Sequence, residues 1–263
     1  MMPLTVTFDT NTLASVVSPD AAQRDTGTSG AVVRAAIQAG RIRGFFSETL
    51  ITLEGIGHED RPEVLGKTQV VAETTSPSKN TINITVGVRH FRTEPDSRFS
   101  ARVEGAIALG MRVLEVVSTM GVGSPLSRES YPIFEPIGGI LALKRCRENA
   151  QNLDREILKR GVGRAVAIEL GLRFSARAGV SKPELFHQGL GRACGKVEHN
   201  RVAKVVREWG DGDSVAAHYG FGINLFCSED KRGGSILSLA NRAWLTATFG
   251  MKFVTLAELA ALV

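Results

Sequence analysis

Leu4, Val6 and Phe8 alternate with Thr5 and Thr7, the period-two pattern of a strand, and the run stops at Asp9-Thr10-Asn11. A looser stretch follows. Ser29 is then placed to cap a helix reaching Gly40, with Ala31, Val32, Ala35 and Ala36 as its apolar stripe. Residues 42–46 read as a second short strand and residues 47–57 as a second helix. Strand, helix, strand, helix predicts a parallel sheet closed by crossovers.

The middle of the chain breaks that rhythm. Residues 69–74 and 81–88 are rich in Val, Ile and Thr, and Ser76-Pro77-Ser78-Lys79-Asn80 between them predicts a hairpin. Residues 101–108 read as helix, 111–117 as a strand or an extension of that helix, with the strand preferred, and the prolines and glycines of 121–136 as a loop. Residues 141–178 predict helices broken near Gly161–Gly163 and at Gly171, and 195–209 a further helix. The α/β rhythm then returns. Asp213 opens a short helix, 223–228 is a buried strand, 240–248 a helix and 252–254 a last strand. Thr255-Leu256-Ala257-Glu258 forms a capping box for the final helix.

The expected organisation is an α/β core drawn from residues 1–60 and 196–263. Between them lies an insertion over 61–195, with a β-hairpin at about 67–90 and a helical, basic stretch at about 140–195, part of which completes the core.

Composition narrows the function classes. No apolar run approaches the roughly 20 residues that span a bilayer, and Met1-Met2-Pro3 leads straight into the alternating stretch, so the expectation is a cytoplasmic protein. Cys146, Cys194 and Cys227 lack the spacing of a disulfide framework or a zinc site. The five histidines, His218 among them, show no metal spacing either. Net charge is +5, but residues 144–208 carry fifteen Lys/Arg against seven Asp/Glu. That excess suits a polyanionic partner, or else a pair of solvated amphipathic helices. Arg192, Lys196, Arg201 and Lys204, continuing to Arg207, are the candidate phosphate contacts.

In open parallel sheets chemistry gathers outside the carboxyl ends of the strands. Asp9 follows the first strand there and Asp230 the penultimate one, Asp213 starts the helix before that strand, and Glu54 lies on the helix after the second. Four carboxylates in one cleft repel one another unless cations neutralise them. Magnesium or manganese does so with few carboxylates and several waters.

Phe8-Asp9-Thr10-Asn11-Thr12-Leu13 resembles the opening of PIN domains, where an aspartate ends the first strand and an asparagine stands two places on. Ser47-Glu48-Thr49-Leu50-Ile51-Thr52-Leu53-Glu54 is similar to the family's second block, and by that match the acid is Glu54 rather than Glu48. Asp213-Ser214-Val215-Ala216-Ala217 and Leu225-Phe226-Cys227-Ser228-Glu229-Asp230 resemble the third and fourth blocks, and Phe249-Gly250-Met251-Lys252-Phe253-Val254-Thr255 the last strand. Asp211, two residues before Asp213, is the alternative third acid.

The resemblance implies a three-layer sandwich around a mostly parallel sheet, with the hairpin and helical insertion added. It implies a metal-dependent endonuclease acting on RNA, with Asp9, Glu54, Asp213 and Asp230 holding one or two Mg2+ or Mn2+ ions. Asn11 and Ser228 would hold the carboxylates in place. The insertion would select substrate, pair with a second copy of the chain, or bind an inhibitory protein, since many small members are toxins restrained by an antitoxin. The competing readings are a non-catalytic RNA- or protein-binding module and a haloacid-dehalogenase-type phosphatase. Against the latter, Asn11 stands where that family has its general acid.

Overall fold

The computed structural model describes residues 3–18, 27–78, 81–89, 97–116, 131–180 and 184–263. Its first half runs β1 (Leu4–Phe8), α1 (Thr10–Val17), α2 (Gly27–Gln38), β2 (Ile42–Ser47), α3 (Arg61–Lys67), β3 (Gln69–Ser78), β4 (Thr81–Arg89), α4 (Ser97–Ala108) and β5 (Arg112–Leu114). Then follow α5 (Gly139–Lys159), α6 (Arg164–Arg177), α7 (Phe186–Leu190), α8 (Gly195–Gly220), β6 (Leu225–Cys227), α9 (Leu239–Phe249), β7 (Phe253–Val254) and α10 (Leu256–Ala261).

Five strands form one sheet in the order β5-β2-β1-β6-β7, and every neighbouring pair is parallel. β3 and β4 pair antiparallel as a separate two-stranded ribbon, the hairpin expected from the sequence. β5 comes from within the 61–195 segment, so that segment supplies an edge strand of the sheet.

Alternation along the strands distributes side chains to two faces. Val6, Phe8, Phe46, Leu225 and Cys227 join Leu13, Val33, Val103 and Leu256 in one core, beneath helices α1, α2, α4 and α10. Phe226 points the other way, onto Leu153, Ile157 and Val215 of α5 and α8 and Leu245 of α9. Phe45 and Leu114 do likewise with Ala217 and Phe221. The sheet is thus flanked by helices on both faces, which is why its strands are short apolar runs. Thr7 is the polar exception on the second face, and its hydroxyl lies 2.9 Å from His218 Nδ1. Burial pushes His218 down to about 3, so it is a neutral packed group and not a cleft histidine.

Several elements differ from the sequence expectation. The loose stretch after Asp9 is helix α1, with the Asp9 carboxylate accepting the Thr10 amide at its N-cap. Residues 47–57 form only a 3-10 turn, Glu48–Leu50, followed by further turns. Glu54 therefore stands on a turn. Thr49, Ile51 and Thr52 are β-branched, which weakens a helix at this place.

The helices break less often than glycine suggests. α6 runs through Gly171, where a Cβ would lie 2.0 Å from the Phe186 carbonyl oxygen. α8 runs for 26 residues straight through Gly210 and Gly212. Asp213 is therefore inside a long helix and does not cap a short one. No helix among the described residues is long and apolar enough to cross a membrane.

Candidate active site

Asp9 sits where β1 ends, and β6 lies beside it in register, with the Asp9 amide donating to the Cys227 carbonyl at 3.0 Å. The next residue on β6's path, Ser228, donates its hydroxyl to Asp9 Oδ2 at 2.7 Å. The same Ser228 oxygen accepts the Asp230 amide at 3.1 Å. One hydroxyl thus ties two of the acids expected at the carboxyl edge of the sheet. Asn11 holds the same loop more weakly, its Oδ1 accepting the Glu229 amide at 3.4 Å.

Glu54 reaches this edge from the turn after β2. Its Oε2 accepts the Thr10 hydroxyl at 2.6 Å, so Thr10 links it to the residue next to Asp9. Burial pushes the Glu54 carboxyl up to about 7, with the Asp9 charge adding to the rise and Thr10, Arg61 and Arg207 opposing it. Glu48 goes elsewhere, accepting the Tyr131 hydroxyl and the Val116 amide.

The third acid is Asp211. Burial holds its carboxyl well above the usual range, and the charges of Asp9, Glu54 and Glu208 push in the same direction. Asp213, two residues on, is about 200° further round a helix of 3.6 residues per turn. Its side chain is 1% exposed and lines a small cavity with Asp154, Gln151 and Val116. Asp213 thus lines this cavity, while Asp211 is the α8 acid that feels the charges of Asp9 and Glu54. Spacing to Asp230 along the chain favours Asp213, but that spacing does not report the phase of α8.

Asp9 is raised by burial, against the hydrogen bonds of Ser228 and Thr10, with Asp230 adding repulsion. Asp230 is different. Burial would raise it, but Arg232 outweighs that and holds it below the usual carboxylate range. The Arg232 guanidinium is forked on Asp230 and also stands 3.3 Å from Asp211 Oδ2. Arg242 of α9 secures the loop from below, donating to the Ser228 and Asp230 carbonyls and, at 2.8 Å, to that of Leu237.

The basic residues fall into two groups. Lys204 and Arg207 lie one to two turns ahead of Asp211 on α8 and are exposed. Lys196 and Arg201 are exposed further out, Lys196 standing about 22 Å from Asp211 at 1.5 Å per residue. Arg192 is held away from the acids by a fork onto Glu184, with contacts of 2.8 and 2.9 Å.

Arg232, Arg242, Glu208 and Thr10 escaped the sequence reading. Only Arg232 left a signal there, two residues from Asp230. No family model matches the chain, and no curated protein or solved structure matches it.

Whether these groups suit a divalent cation divides into chemistry and spacing. Asp9, Glu54, Asp211 and Asp230 offer only hard carboxylate oxygens, the donors Mg2+ and Mn2+ prefer. Three of them are raised by burial and by one another, so they stand short of positive charge. The spacing is looser. Among the described residues no group of three or more His, Cys, Asp or Glu side chains stands ready to enclose a metal ion. Arg232 occupies the place between two of the acids.

Proposed function

We propose that the protein is a magnesium- or manganese-dependent endonuclease acting on RNA, within an α/β fold of the PIN type. The observation that carries this reading is the approach of Asp9, Glu54, Asp211 and Asp230 to one edge of the parallel sheet, from four separate parts of the chain. Burying several acids together is costly without compensating charge, and such an arrangement makes chemical sense where a divalent cation supplies it.

The four carboxylates would hold one or two cations, with Arg232 giving up its bridge. Once bound, the cation lowers the pKa of a coordinated water and stabilises negative charge on phosphate oxygens. Ser228 and Thr10 orient the carboxylates by the hydrogen bonds described above. Lys204 and Arg207 face outward on the same helix as Asp211, where they can hold the phosphates of a bound strand. Before a cation binds, Glu54, raised to about 7, is partly protonated near neutral pH, so binding would release a proton from it.

The Arg232 bridge favours a second reading, in which the fold serves a non-catalytic RNA- or protein-binding module. Incubation of the purified chain with manganese and end-labelled single-stranded RNA separates the two. Asp9→Asn and Asp211→Asn should each reduce cleavage by about a hundredfold or more, while Asp213→Asn keeps it. Binding of RNA without cleavage by the unaltered protein would support the module instead. Equal loss in all three variants would remove the assignment of Asp211.

A further inference from the structure

We infer that the cleft between α6, α8 and residues 232–235 is a subsite for one unpaired nucleotide beside the reacting phosphate, with Glu208 contacting the amino group of its base. The inference rests on the nuclease reading and names the form of nucleic acid it would take.

The cleft has a volume of about 360 Å³ and is lined by Val166, Val205, Lys204, Glu208, Arg232 and the Gly233–Ser235 turn. Small-ligand pockets range from about 300 to 1,000 Å³, and a nucleoside monophosphate is of that size. Val166 and Val205 give apolar walls for the faces of a base. Lys204 is exposed and makes no ion pair among the described residues, which leaves its ammonium for a phosphate. Arg232 lines the cleft and also touches Asp211 and Asp230, so cleft and acids share a wall. A nucleotide lodged here stands beside the carboxylates, separated from them by Arg232.

Glu208 supplies the selectivity. Its Oε1 accepts the Gly163 amide at 2.9 Å and the Ile236 amide at 2.8 Å, which fixes the carboxyl plane. Oε2 takes no hydrogen bond from a described residue, so one acceptor remains for a ligand. Cytosine, adenine and guanine carry an exocyclic amino group to meet it, as carboxylates meet the cytosine amine. Uracil offers only an N3–H flanked by two carbonyls that face the carboxylate unfavourably. A base whose pairing edge meets Glu208 cannot also be paired, which restricts the site to single strands and splayed nucleotides.

The test is binding of CMP, AMP, GMP and UMP to the full chain in EDTA, followed by saturation-transfer NMR. The three amino-bearing nucleotides should bind about fivefold tighter than UMP, the value of one hydrogen bond. Glu208→Gln keeps an oxygen for the Gly163 and Ile236 amides and turns the other atom into a donor, so it should reverse the preference toward UMP. Lys204→Ala, at an exposed position where folding is not at stake, should weaken all four by about fivefold. Equal binding of the four nucleotides, or no change in either variant, overturns the subsite. If manganese-dependent RNA cleavage persists in that event, the subsite alone has failed. Nucleotide preference without any cleavage keeps the cleft and removes the nuclease.

Discussion

Glu54 would be an ordinary surface acid on an amphipathic helix, but the chain places it on a turn against Thr10, with Asp9 nearby. Its folded-state pKa of about 7 lies above the usual 4.5, so between those values the folded protein binds more protons than the unfolded one. Stability from this group is complete below about 4.5 and is lost as pH rises through about 7. Asp9 and Asp211 act in the same direction, and Asp230, held low by Arg232, in the opposite one. In EDTA the melting temperature should therefore fall between pH 5 and pH 8, and Glu54→Gln should flatten that fall by several degrees relative to the unaltered chain. Calorimetry at a series of pH values measures it. Parallel curves for the two proteins would mean that Glu54 titrates as a solvated acid.

At the scale of elements, α8 decides the site, because its phase selects Asp211 over Asp213. The helix passes through Gly210-Asp211-Gly212 because each glycine lets something approach. A Cβ at Gly212 would sit 2.9 Å from the Gly163 Cα, and one at Gly210 would sit 3.2 Å from Glu54 Oε1. Gly212→Ala meets backbone and should destabilise by about 1–3 kcal/mol, less up to about 1 kcal/mol regained in helix propensity. Gly210→Ala meets a movable side chain, so urea unfolding should change little while cleavage falls as Glu54 is displaced. Equal effects of the two on stability would show that the packing at both glycines is alike.

These contacts also explain what could be read from the chain beforehand. The strands were legible because each alternates or forms a short apolar run that the sheet buries. Asp9, Ser228 and Asp230 were legible with them, since they stand at strand ends. The course of α8 was not, because glycine as a packing device looks like glycine as a helix breaker until Gly163 and Glu54 are in place. The roles of Arg232 and Arg242 were harder to read for a related reason, with only the place of Arg232 two residues from Asp230 as a hint. Their partners are carboxylates and carbonyls brought close only by the turn after β6.

For the whole molecule the question is which positive charge the acids face. The chain carries a net +5, yet within the site the nearest compensation is Arg232, tethered two residues from Asp230 and reaching Asp211. A divalent cation and this guanidinium would compete for the same carboxylates. A cation at a hundred times its dissociation constant stabilises the folded state by about 2.7 kcal/mol, or about 5–10 °C for a chain of this size. Manganese should raise the melting temperature by about that much at pH 7.5 and far less at pH 5, where the raised acids hold protons. Arg232→Ala should lower the melting temperature in EDTA, because Asp211 and Asp230 lose their partner, and should enlarge the manganese-induced rise. The difference isolates competition from simple loss of an ion pair, which would lower both curves equally. If manganese shifts neither protein at pH 7.5, the carboxylates at this sheet edge do not form a cation site, and Arg232 is their permanent counter-ion.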